Sequence, residues 1–172
     1  MNASQKPSPA DAPPPSEADP DCHFCQRMAD PGSLRDRLVF EDGLFHVSHQ
    51  LEENGPSYLG ILLIQTTRHA PEMAELTDLE GEELGSLVQQ TSRALKSCTG
   101  AAWTYVFSFT EGFRHVHVVV AARYPSMPKQ YVRLSLTDWP DAPKGGRLEV
   151  VALTHRLRQF MLSSKRDAVL PN

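Results

Sequence analysis

His115 and His117 stand two residues apart in the run Arg114-His115-Val116-His117-Val118-Val119-Val120. β-Branched residues dominate it, which predicts a β-strand. Strand side chains alternate between faces, so both histidines share one face with Val119 and Ala121, while Val116, Val118 and Val120 form the core side. Rings about 7 Å apart are neighbours that do not crowd each other. A lone strand histidine is ordinarily structural. Two on one face of an apolar strand both need polar partners, and imidazole serves as ligand, base or nucleophile. Cys22-His23-Phe24-Cys25 and His69 offer further ligands. Two thiolates balance the charge of Zn²⁺, and His69 and His115 would complete a closed tetrahedral shell. Spacing alone leaves a redox pair or two unrelated thiols open, because the interval from Cys25 to His69 is not that of a zinc finger.

The elements that must position these groups follow from periodicity. Residues 1–20 hold six of the fourteen prolines and read as a disordered tail, with order beginning near Asp21. Leu38-Val39-Phe40 and Leu44-Phe45-His46-Val47 read as strands joined across Asp42-Gly43, a hairpin signal. A third strand is expected from Tyr58 to Gln65, with His69 just beyond its exit. Thr77-Asp78-Leu79-Glu80 is a capping box that starts a helix running to about Ser97, with Gly100 as its stop. Leu84, Leu87, Val88, Leu95 and Cys98 fall at helical spacing, making Cys98 a packed core thiol. Ala102–Thr110 alternates, and the tight Glu111-Gly112-Phe113 link makes it the hairpin partner of the histidine strand. Residues 124–146 read as a long loop rich in proline, glycine and aromatics. Arg147–Leu162 returns to helical period, with His155 on its surface and a flexible end from 164 to 172.

Composition narrows the function classes. A net charge of −4 gives no excess of positive charge for nucleic acid or an acidic membrane. No apolar run approaches a membrane span, and residues 1–20 lack the apolar core of a secretion signal, so the cytosol is the default expectation. Three cysteines, two of them too close to staple a fold, agree with a reducing compartment.

Four segments in order resemble the histidine triad (HIT) family of nucleotide hydrolases and transferases, and more distantly galactose-1-phosphate uridylyltransferase. Cys22-His23-Phe24-Cys25 is similar to the family's Cys-x-Phe-Cys opening. Gly60 to His69 is similar to its Gly-His-(apolar run)-Pro-Lys-Arg-His strand and exit, and Leu76–Glu80 to its helix start. His115-Val116-His117-Val118-Val119-Val120-Ala121-Ala122-Arg123 is similar to its His-x-His-x-His-x-x-Pro-Arg signature in length and closing arginine. The resemblance spans about Cys22 to Arg123. It implies an α+β fold, an antiparallel sheet with two packed helices over residues 21–163, usually paired as a homodimer. It implies structural zinc at Cys22, Cys25, His69 and His115, and His117 as the nucleophile that attacks the α-phosphorus of a nucleotide. Arg123 is the expected phosphate partner because its fork of donors suits phosphate oxygens, and Tyr124, Tyr131 and Trp139 are candidates to stack on a base.

The departures bear on chemistry. Val119 stands where the signature has its third histidine, and an isopropyl group neither donates nor accepts. Ile61 replaces the histidine after Gly60, Thr66-Thr67 replaces Pro-Lys, and Thr110-Glu111-Gly112-Phe113 is shorter than the usual Gly-Gln loop and carries a carboxylate. Three readings follow: a nucleotidyl hydrolase or transferase whose missing donor comes from the 124–146 loop, a nucleotide-binding module without turnover, or a zinc-stabilised interaction domain.

Overall fold

The computed structural model describes residues 19–169. The expected tail lies outside the described residues except for Asp19 and Pro20. The Asp19 carbonyl accepts from the Cys22 N–H, and its carboxylate accepts from the Asp21 N–H.

Five antiparallel strands form the sheet: β1 (Leu38–Glu41), β2 (Phe45–His49), β4 (Ile61–Thr66), β6 (His117–Arg123) and β5 (Trp103–Phe107), in the spatial order β1-β2-β4-β6-β5. The β1–β2 hairpin turns where expected, because the Asp42 carboxylate accepts from both Leu44 and Phe45 N–H groups. The third strand is two strands rather than one. Gly60 adopts φ +101°, and a Cβ there would sit 2.8 Å from that of Ala122. That kink separates β4 from β3 (Ser57–Tyr58), which pairs instead with β7 (Lys144–Gly145). His49 holds the kink: its Nδ1–H donates to the Gln50 carbonyl at 2.6 Å, and its Nε2 accepts the Gly60 N–H at 2.9 Å.

One sheet face meets two long helices, α3 (Asp78–Thr99) and α4 (Arg147–Val169). Phe45, Val47, Leu62, Ile64, Val118 and Val120 pack there against Leu84, Leu87 and Leu95 of α3 and Leu153 and Leu157 of α4. The capping box is present, with Thr77 and Glu80 bonded reciprocally, and Gly100 ends α3 in the left-handed conformation. Cys98 packs against this core, and His155 is exposed. α4 runs past the expected Leu162, so residues 164–169 of the end read as flexible are helical.

The other face is divided. Residues 124–146 are a packed cover rather than a loop, with 3₁₀ turns at Lys129–Tyr131 and Arg133–Asp138 and strand β7. Met127, Leu136, Trp139 and Ala142 bury themselves with Tyr58, Ile61 and Ala121 at one end of that face. The other end carries α1 (His23–Ala29) and the short α2 (Pro31–Leu34), opened by Pro31 and capped by the Asp30 carboxylate.

Candidate metal centre and pocket

β4 and β6 run side by side with Gln65 opposite His117. Their contact continues past the ladder: the Val116 N–H donates to the Ala70 carbonyl at 2.7 Å, which brings the exit of β4 beside the start of β6. His69 and His115 therefore converge, and α1 carries Cys22 and Cys25 onto them. One ligand atom from each of Cys22, Cys25, His69 and His115 lies within 4.8 Å of all the others.

The residues fit a tetrahedral metal. Bonds of about 2.3 Å to sulfur and about 2.0–2.1 Å to nitrogen, at tetrahedral angles, give a sulfur–nitrogen edge of about 3.5–3.6 Å. The observed edges are 3.5 Å for Cys22 Sγ–His115 Nδ1, 3.5 Å for Cys25 Sγ–His69 Nδ1 and 3.6 Å for Cys25 Sγ–His115 Nδ1. The tautomer fits too. His115 Nε2 lies 2.9 Å from the Thr66 carbonyl, which can only accept, so Nε2 carries the hydrogen and Nδ1 turns its lone pair to the sulfurs. Asp19 places a carboxylate 3.6 Å from His69 Nε2. Burial lowers the His115 pKa to about 4, against a smaller opposing effect of the Thr66 carbonyl, and keeps the ring neutral. Burial also raises the Cys25 thiol to about 11, so without a cation that thiol stays protonated.

His117 points elsewhere. Its Nδ1–H donates to the His115 carbonyl at 2.9 Å, leaving the Nε2 lone pair unprotonated in the neutral ring. The Ser108 hydroxyl fixes its backbone carbonyl at 2.7 Å, and the Phe24 ring lies 5.1 Å away. His117 lines a cavity of about 510 Å³, a size suited to a small-molecule ligand. Leu63 and Val119 share its floor; His23, Phe24 and Arg27 come from α1, and Gln50, Glu52, Glu53 and Asn54 from the β2–β3 connection.

No protein-family model and no curated protein matches the sequence. Among solved structures, a Zn-bound histidine triad family protein from Mycobacterium smegmatis matches with TM-score 0.62 and 13% identity, over 86% of this chain and 97% of that one. A hypothetical histidine triad nucleotide-binding protein from Sulfolobus tokodaii matches with TM-score 0.61 and 20% identity, over 84% and 95%. The Plasmodium falciparum diadenosine triphosphate hydrolase, in complex with cyclomarin A, matches with TM-score 0.56 and 10% identity, over 75% and 78%. The fold is the histidine triad fold.

Within this histidine triad fold the sequence-predicted residues separate into two sets. Cys22, Cys25, His69 and His115 come together, with His117 beside them on the pocket side. Arg123, Tyr124, Tyr131 and Trp139 do not line that pocket. The Arg123 guanidinium lies 4.4 Å over the exposed Trp103 ring, and the Tyr124 hydroxyl donates to the Leu59 carbonyl at 2.7 Å. Trp139 is 4% exposed within the packed cover, and Tyr131 packs against the same cluster. β6 carries its closing arginine to the far end of the strand from His117, about 20 Å along the chain at 3.3 Å per residue. The 124–146 segment accordingly supplies no polar group to the pocket. α1 and the β2–β3 connection do, and only His23, inside the Cys-x-x-Cys, gave any sign of it. His115 precedes β6 instead of lying within it: its N–H donates back to the Phe113 carbonyl at 2.7 Å and not to a neighbouring strand. His46 gives no sign of a role in the sequence; its Nε2–H donates to the Gln65 side chain at 2.9 Å.

Proposed function

We propose that the chain is a nucleotidyl hydrolase or transferase that works through a nucleotidyl-histidine on His117. The orientation of that ring carries the reading: Nδ1 is committed to the His115 carbonyl, so the pocket receives a lone pair. That lone pair on Nε2 attacks the α-phosphorus, and the bond from phosphorus to the leaving oxygen or nitrogen breaks with its electron pair. A water or second acceptor then attacks phosphorus, and the Nε2–P bond returns its pair to the imidazole. Cys22, Cys25, His69 and His115 would hold zinc, which fills a structural role because all four positions are protein ligands. The neighbouring folds named as nucleotide-binding, Zn-bound and diadenosine triphosphate hydrolase support this assignment. Pairing as a homodimer is supported by the β5 edge, where residues 103–110 carry no charge and leave Trp103 and Val106 exposed. β1, at the other edge, has its Leu38 carbonyl covered by Arg158 of α4. A cytosolic location agrees with the free thiols of Cys22, Cys25 and Cys98.

The apolar floor of Leu63 and Val119 favours a second reading, nucleotide binding without turnover. A panel of nucleoside phosphoramidates and dinucleoside polyphosphates, followed by thermal shift and by product release, decides between them. Product release abolished by His117→Ala supports the enzyme. Thermal shifts without product support the binding module, and neither signal refutes both.

A further inference from the structure

A second imidazole, that of His23, lines the His117 pocket. Of the seven histidines, five have a ring nitrogen already engaged: His46 with Gln65, His49 with Gln50 and Gly60, His69 and His115 within the cysteine–histidine cluster, and His117 with the His115 carbonyl. His155 does not line the pocket. The exposed His23 ring has no hydrogen-bond partner among the described residues. Its contacts are two aromatic rings, Phe24 at 6.0 Å and Phe113 at 6.4 Å between centroids. The same two rings touch His117, at 5.1 Å and 6.5 Å. The gap between the two imidazoles is therefore at most two ring contacts wide. Because His23 lies between Cys22 and Cys25 at the start of α1, whatever holds those cysteines holds it too.

Attack by His117 Nε2 on phosphorus drives charge onto a leaving atom that lies in line on the far side. With about 3–3.5 Å for the attack and 2.6–3.2 Å for a hydrogen bond, a donor for that atom belongs roughly 7–8 Å from Nε2. Leu63 and Val119 on the floor offer no donor, so it must come from a wall. Glu52 and Glu53 carry acceptors only, Gln50 Nε2 is committed to the Glu52 carboxylate at 2.6 Å, and Arg27 already has an interaction partner. Asn54, exposed on the β2–β3 connection, is the one rival. His23 differs from it in sharing two ring contacts with His117.

We propose that His23 is a catalytic residue, whose ring N–H donates a hydrogen bond to the leaving oxygen during nucleotidyl transfer to His117. The inference rests on the nucleotidyl-transfer reading above and deepens it. The lone pair of His117 Nε2 forms the bond to phosphorus, and the phosphorus–oxygen bond breaks with its pair onto the leaving oxygen. The His23 N–H stabilises that oxyanion and keeps its own proton. After release the oxyanion takes a proton from water. A neutral imidazole has one N–H, and with neither His23 nitrogen committed the ring can turn that group to the ligand.

The test compares the release of phenol and of 4-nitrophenol from their AMP esters by the metal-loaded full chain. His23→Phe keeps an aromatic ring against Phe24 and Phe113 but removes the donor. Phenol release should then fall about 10²-fold, while 4-nitrophenol, which disperses its own charge, should lose less than about tenfold. His23→Gln restores an N–H and should recover at least about tenfold of the phenol rate. Zinc content and AMP affinity should stay at their wild-type values in both variants, and Asn54→Leu should leave both rates unchanged. Should His23→Phe lose zinc, the decision falls to His23→Ala, with the same selective loss expected. An equal loss for the two esters, an unmoved phenol rate, or a phenol-selective loss in Asn54→Leu instead overturns the role of His23 while the nucleotidyl-transfer reading stands. Release of neither product by the wild-type protein overturns that reading and the proposal with it.

Discussion

Replacing Glu80 by glutamine puts an amide NH₂ where a carboxylate has no room for a donor. Glu80 is 2% exposed at the first turn of α3. Its Oε1 accepts from Arg68 Nε at 2.8 Å, and its Oε2 accepts from Arg68 Nη2 at 2.7 Å, the Thr77 N–H at 2.8 Å and the Thr77 hydroxyl at 3.0 Å. Whichever oxygen becomes nitrogen, it faces at least one donor with another donor. Arg68 loses the partner that neutralised it, and removal of one member of a buried pair destabilises by about 3–5 kcal/mol. Thr77→Ala takes only the hydroxyl from the same knot and should cost about 1 kcal/mol. The order Glu80→Gln well above Thr77→Ala is thus set by what each leaves unpaired. Arg68→Met/Glu80→Met together should recover much of the loss, since two apolar groups leave no stranded charge. Urea unfolding at pH 7.5 with saturating zinc measures all four proteins. Burial alone would push the Glu80 carboxyl up, but Arg68 and Thr77 outweigh it and hold its pKa below the ordinary value. Its contribution is therefore present above the ordinary carboxylate range and lost as pH falls below it, so the gap between wild type and Glu80→Gln should narrow in acid. A Glu80→Gln variant within about 1 kcal/mol of wild type, or no worse than Thr77→Ala, would refute the reasoning.

Three further outcomes are expected. Protein purified without added zinc should contain close to one equivalent by metal analysis; His115→Ala should lose it, His117→Ala should keep it, and loading should release protons because the Cys25 thiol starts protonated. Burial, aided slightly by Arg37 and opposed by the Gln50 carbonyl, lowers the His49 pKa to about 4 from 6.5. The unfolded chain then binds the extra proton first, so stability is full above about pH 6.5 and falls toward pH 4, by roughly 3 kcal/mol from this residue; His49→Gln should show a shallower acid loss in denaturant titrations across that window. Val119→His should raise product release from adenosine phosphoramidates by roughly 10²-fold or more if a positioned donor is what the floor lacks, and an unchanged rate would place the donor elsewhere.

Much of this architecture was legible in the chain because local rules and the fold agree. Thr77 and Glu80 announce a capping box, Asp42-Gly43 a hairpin, and alternation separates His117 and Val119 from the core valines. The Cys22, Cys25, His69 and His115 cluster was legible because cysteine and histidine are few and fall at the ends of readable elements. The pocket walls were not. Gln50, Glu52, Glu53 and Asn54 form an ordinary polar stretch, and nothing local says that β2 and β4 will turn it toward His117. Arg123 misled because a fork of donors suits phosphate wherever it stands, whereas an extended strand carries this one about 20 Å along the chain from His117. Trp139 and Tyr131 misled for another reason: aromatics among prolines look like an open loop until a sheet face is found that needs covering. The Tyr58–Gln65 run hid its break because Gly60 sits at a close approach to Ala122, a long-range fact.

α1 belongs to neither main core. Phe24, Cys22 and Cys25 form a small cluster of their own, and the helix is only seven residues long. A helix that short has little intrinsic stability; beyond the Phe24 ring contacts with Phe113, His115 and His117, its grip on the sheet would come from whatever Cys22, Cys25, His69 and His115 hold. Its local opening is then governed by mass action: at a free zinc concentration a hundred times the dissociation constant, occupancy adds about 2.7 kcal/mol against opening, and this vanishes as supply falls. Because His23, Phe24 and Arg27 are also a pocket wall, the amount of zinc around the protein would set the fraction of molecules that have a complete site at any instant. Ligand affinity measured in chelator and in zinc buffer would then differ by that fraction, with the floor and His117 unchanged.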